Sequence, residues 1–189
     1  MTITRMVLMA WMGGTVAQGS QPPWTVDVYV HKQTNVPCEI LKLAEGLATK
    51  MFAEIGIRMD WRAGRPVRES VERPILIELA ESNSANIRSG VLAQALPFEG
   101  TQITVFFDRL AADKRPAEVL GHVMVHEITH LLQGISRHSD IGVMKAQWTC
   151  RDRFEMLRKP LAFTTEDVDL IYLGLAKRTA PTVTAAAER

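Results

Sequence analysis

Residues 26–32 read Val-Asp-Val-Tyr-Val-His-Lys, an alternation of apolar and polar side chains expected of a strand buried on one face. Past Asn35-Val-Pro-Cys38 the period changes. Ile40, Leu41, Leu43, Ala44, Leu47, Ala48, Met51, Phe52 and Ile55 recur at helical spacing and Gly56 can end the run, which predicts a long amphipathic helix. Two further strands are predicted over 58–62 and 74–79, separated by the turn-like Ala63-Gly64-Arg65-Pro66. Residues 82–89 are polar and loop-like, and short strands over 91–96 and 102–107 flank Pro97-Phe-Glu-Gly100. A helix over 116–133 has Pro116 in its first turn and Gly134 where a left-handed residue would close it. A loop to about Lys145, a short helix over 150–158, and a last helix from Thr164 or Thr165 to Arg178 complete the pattern. The two threonines are N-cap candidates with acidic residues behind them.

These elements make one α+β domain over residues 24–178, and both ends fall outside the pattern. Arg5, the apolar run over 6–12 and the small residues Ala17 and Gly19 read as a signal peptide over 1–19; the run is shorter than the roughly 20 residues a membrane span needs. Residues 179–189 are small and polar with no apolar period and read as a disordered tail. The chain of 189 residues carries 22 basic and 21 acidic side chains, so it lacks the cationic field that draws proteins onto nucleic acid or anionic lipid. Cys38 and Cys150 are the only cysteines. An even count in an exported chain suits one disulfide, worth about 4–5 kcal/mol in the chain-entropy model; two separate buried thiols are the alternative.

Four of the five histidines fall between His122 and His138, and the centre of the cluster is His126-Glu127-Ile128-Thr129-His130, an HExxH sequence. On a helix, positions i and i+4 stand about 40° apart around the axis and about 6 Å along it, so two imidazoles converge where one ion can take both. Glu127 points to the side of that pair, where its carboxylate can reach a water on the metal without ligating the ion, the place of a general base. His122 is also four residues from His126, but it lies about 12 Å from His130, too far to share an ion whose bonds are about 2 Å. A His122/His126 pair would put Val123 in the position of Glu127. His126 and His130 are therefore assigned as ligands and His122 as a packed or outer histidine. A catalytic zinc takes three protein ligands and leaves the fourth position to water. His138, eight residues after His130 and beyond the chain-reversing Gly134, leads for the third place; Glu155 on the following helix is the alternative.

The run from His126-Glu-Ile-Thr-His130-Leu-Leu-Gln-Gly134 to His138-Ser-Asp-Ile-Gly142-Val-Met144 resembles the zincin superfamily. Within it the metzincin branch follows HExxH with a glycine, a third histidine and a methionine turn. The run is also similar to small secreted bacterial proteins of metallopeptidase type that share a His-Ser pair, a Gly-x-Met turn and a nearby tryptophan, here Trp148. Its glycine and last histidine stand four and eight residues after the second histidine, where the usual metzincin string has three and six. The resemblance implies a zincin-like, metzincin-type fold. In it a twisted mixed sheet of about five strands packs on the long N-terminal helix and the zinc-binding helix, with a small helical C-terminal part. It also implies that Met144 lies in the turn beneath the metal without ligating it, and that an edge strand, here residues 91–95, holds an extended peptide by main-chain hydrogen bonds.

The expected function is that of a secreted or periplasmic endopeptidase with one catalytic Zn2+. His126, His130 and His138 hold the ion, and Glu127 acts as general base on zinc-bound water. Imidazoles in an open site suit zinc. The alternative is a zincin-fold module that holds zinc and binds peptide or protein without cutting it. Glu127 favours turnover, because a pure binding site needs the histidines and not a base. The expected partner is a peptide or protein substrate, with no nucleic acid and no stable membrane insertion after signal cleavage, and the expected state is a monomer.

Overall fold

A computed structural model describes residues 24–67, 73–82, 90–95 and 101–179. The expected signal peptide over 1–19, nearly all of the loop over 82–89, the turn over 97–100 and residues 180–189 of the expected tail lie outside them.

Five strands form one sheet: β1 (Trp24–Lys32), β2 (Ile57–Ala63), β3 (Ile75–Ala80), β4 (Ala93–Ala95) and β5 (Gln102–Phe106). Their order is β2-β1-β3-β5-β4. Every neighbouring pair is parallel except β4 and β5, so β4 is an antiparallel edge strand. Parallel neighbours need a crossover, and α1 (Cys38–Glu54) supplies the one between β1 and β2. The alternation in β1 sends Val26, Val28 and Val30 to the helical face, where they join Met59, Ile77 and Ile103 in the core. Asp27 points the other way and pairs with Arg62 of β2 at 2.8 Å.

The helical layer is built around α3 (Pro116–Gln133), which is buried along nearly its whole length. A helix apolar on all sides must be enclosed. Here α1 and α5 (Thr165–Thr179) flank it, β4 and β5 lie against it, and α2 (Asp108–Ala111) and α4 (Cys150–Met156) also touch it. Two glycines allow the close crossings. A Cβ on Gly121 would stand 2.8 Å from Leu47 Cδ2 of α1, and one on Gly174 of α5 would stand 1.7 Å from the Leu132 carbonyl oxygen of α3.

The elements read from the sequence are present, with ends shifted by one or two residues. The single-turn α2 was not anticipated, because four residues carry no readable period. The expected disulfide is absent. Cys38 and Cys150 are free, and each is an exposed thiol at the first position of a helix, so neither the bridge nor the pair of buried thiols describes them. Among the described residues no helix is long and apolar enough to cross a membrane.

Candidate metal centre

Pro116 opens α3 and Gly134 closes it in the left-handed conformation at φ +69°, where its N–H donates to the His130 carbonyl at 2.9 Å. Between these ends the helix places His126 and His130 one turn apart. Nδ1 of His126 is 2.9 Å from the Val143 carbonyl oxygen, and Nδ1 of His130 is 3.1 Å from that of Ile135. Carbonyls only accept, so each Nδ1 carries the proton and each Nε2 presents a lone pair. The two Nε2 atoms are 3.1 Å apart. Burial, first of all, holds both imidazoles down to a pKa of about 4, so neither ring has a second proton to place in that gap near neutral pH. Two lone pairs facing each other are an arrangement that a cation relieves. A tetrahedral ion with bonds of 2.0–2.1 Å would set its nitrogens about 3.3 Å apart, close to the spacing seen. The donor set therefore fits zinc.

His138 completes the group. The ligand atoms of His126, His130 and His138 all lie within 4.8 Å of one another, and the His138 ring centroid is 5.2 Å and 4.9 Å from the other two. The connection that carries it has no regular secondary structure and is fixed by a bond across its own turn and by contacts with the segment before α5 and with α5 itself. Ser139 N–H donates to the Met144 carbonyl at 2.8 Å and Val143 N–H to that of Ala162 at 3.0 Å. Gly142, at φ +78°, passes so near Ala162 that a Cβ would stand 2.3 Å from its carbonyl oxygen. Arg137 and Ser139, on either side of His138, are tied to α5. Ser139 Oγ donates to Asp167 Oδ1 at 2.5 Å, Arg137 Nη1 donates to the same oxygen at 3.2 Å, and Arg137 Nη2 pairs with Glu166. Asp167 is fully buried. Burial pushes its carboxyl pKa up, and the hydrogen bonds from Ser139 and Thr164 with the Arg137 charge outweigh that and hold it below its ordinary value.

Glu127 is half-buried and accepts the backbone N–H of Ala95, while burial pushes its pKa up to about 7. It faces a cleft of about 860 Å³ that the three histidines, β4 and Trp148 also line. Phe106 N–H of the β5 end donates to the Leu92 carbonyl at 2.9 Å. The two-residue alternation of an antiparallel ladder then turns the main-chain groups of Ala93 and Ala95 away from β5, toward the cleft.

The other candidates stand apart from the group. His122 is fully buried with both nitrogens engaged: Nδ1 donates to the Glu118 carbonyl at 2.7 Å and Nε2 accepts from Leu161 N–H at 3.1 Å. Glu155 pairs with Arg151 on α4 and is outside the histidine cluster. Met144 is fully buried in the turn whose Val143 carbonyl orients His126. Sequence reasoning did not single out Arg137 or Asp167. The Thr164-x-x-Asp167 pattern announces a helix start, and the reciprocal bonds of 2.9 and 3.1 Å between the two residues bear that out, but nothing in it announces the reach to His138.

Among solved structures, the chain is similar to archaemetzincin from Methanopyrus kandleri, with a TM-score of 0.56 and 15% identity over 85% of this chain and 99% of that one. The fold is thus zincin-like, an α+β single domain of the archaemetzincin kind. Myroilysin aligns with a TM-score of 0.35 and 9% identity over 76% of this chain and 70% of that one, too weak to bear on the argument. No family model and no curated protein matches the sequence.

Proposed function

We propose that the chain is a zinc-dependent endopeptidase that hydrolyses internal bonds of a peptide or protein substrate. One observation carries this reading: three imidazoles gather their ligand atoms within 4.8 Å beside a half-buried carboxylate, in one open cleft bordered by a sheet edge. His126, His130 and His138 are the ligands of one Zn2+. When bound, zinc supplies Lewis acidity, which polarises the scissile carbonyl and acidifies a water. Glu127 takes a proton from the attacking water and delivers it to the leaving amine nitrogen as the C–N bond breaks. The outward main-chain groups of Ala93 hold the substrate backbone as an added strand. Export to the periplasm or beyond the cell rests on Arg5 and the apolar run over 6–12.

The test is digestion of a broad peptide library by the zinc-loaded protein, with metal analysis, beside Glu127→Gln. The expected result is one zinc per chain and cleavage at internal bonds, with Glu127→Gln keeping the zinc and losing the cleavage. Bound zinc without cleavage by the parent would make the chain a peptide-binding module instead. A chain that takes up no zinc would overturn both readings.

A further inference from the structure

We propose that Asp167, in the first turn of α5, is the positioning residue of the third imidazole: by gripping Arg137 and Ser139 it sets where His138 stands relative to the helix-borne pair. The inference rests on the three histidines forming one metal centre. His126 and His130 are each oriented by a bond from their own ring to a carbonyl. Among the described residues no hydrogen bond reaches the ring of His138, which is exposed, so its place is set through its chain neighbours. Both neighbours end on the same carboxylate oxygen, Oδ1 of Asp167.

The two oxygens of Asp167 do different jobs. Oδ2 accepts the Thr164 N–H at 2.9 Å and closes the start of the helix, which is all that capping requires. Oδ1 is left over from that task and holds the His138 flanks. A fully buried carboxylate is costly unless it is paired and hydrogen-bonded, and this one is satisfied by the residues on either side of a ligand. Its main chain completes the link, because the Asp167 carbonyl accepts from Gln133 Nε2 at 3.2 Å, near the end of the helix that carries the other two histidines. Asp167 thus ties the loop ligand to the helix ligands through side chain and backbone at once.

The test is a double-mutant cycle on zinc affinity, measured on the full chain by competition with a chromogenic chelator. Asp167→Asn is expected to weaken zinc binding about 10–100-fold, the usual effect of losing a group that orients a ligand. In a His138→Ala background the same substitution should have no further effect, because the residue it acts through is gone. Equal losses in both backgrounds would mean a general structural effect and overturn the proposal, as would an unchanged affinity. A parent that binds no zinc would instead sink the metal centre itself. A metal-free readout then judges the clamp: exchange of the Ser139 amide, bonded to the Met144 carbonyl, should accelerate in apo Asp167→Asn while α3 amides keep their protection; no acceleration overturns the clamp. Should Asp167→Asn fail to fold, Ser139→Ala removes one arm and leaves the Thr164 cap intact. It is expected to shift zinc affinity in the same direction by a smaller factor, and no shift would count against the proposal.

Discussion

The two halves of the candidate metal centre are built by opposite means. His126 and His130 stand on one buried helix, where the turn of the helix alone brings their rings together and each ring is oriented by a nearby carbonyl. His138 stands on an irregular connection held in place by Ser139, Arg137 and Gly142 against α5 and the segment before it. The spacing of the first pair is a local property of five residues. The second half depends on a contact between positions 28 and 30 residues apart in the chain. Local geometry can thus supply a pair of donors, while the third has to be recruited by tertiary structure.

The largest effect that would sharpen this contrast is on zinc binding. Removing a helix ligand, as in His130→Ala, should cost about tenfold more affinity than His138→Ala, because the helix ring is already ordered before the ion arrives. Competition titration of the two variants decides it, and equal losses would mean that the loop is as preorganised as the helix.

Next is the crossing that carries α5. Gly174→Ala would drive a methyl group into the Leu132 carbonyl, and since backbone cannot swing aside, the variant should lose about 3 kcal/mol in denaturant unfolding. At Gly121 the nearest atom is the flexible end of Leu47, so Gly121→Ala should cost less, about 1 kcal/mol. Gly174→Ala should also weaken zinc binding, because it displaces the helix that bears Asp167, whereas Gly121→Ala should not.

Acid should act on the loop half through Asp167. Its pKa is lower in the folded chain than in the unfolded one, so its contribution to stability is present above the ordinary aspartate value and fades as pH falls through the folded value. Urea unfolding at several pH values below 4 should show this loss in the parent, and Asp167→Asn should lack that part of it. The smallest effect is expected at α4, where Thr149 and Asp152 form a capping box that makes no hydrogen bond to residues 137–139. Thr149→Ala should cost about 1 kcal/mol of stability and leave zinc affinity unchanged. A change in affinity there would mean that the whole C-terminal part, and not α5 alone, supports the loop ligand.

What could be read from the sequence follows the same division. The strand pattern of 26–32, the periodic helix ended by Gly56 and the Pro116 to Gly134 helix are each set by local spacing, and each appears within two residues of its expected place. The HExxH pair and the dismissal of His122 as a partner for His130 follow from helix dimensions. His138 could be named as a candidate only from chain length and resemblance. Asp167 was invisible because its role depends on where α5 docks, which the Gly174 crossing decides. Cys38 and Cys150 teach the converse: an even count suggested a bond, but a count says nothing about whether two helix starts meet.

The Val143 carbonyl accepts from the His126 ring and also from the Trp148 indole N–H at 3.3 Å, and the two rings meet edge to face at 5.7 Å. Any ion that pulls on this imidazole changes the charge next to the indole, so Trp148 emission should report occupancy of the site. Trp24 and Trp61 sit on β1 and β2, across the sheet from β4, and give a constant background against which that signal can be read.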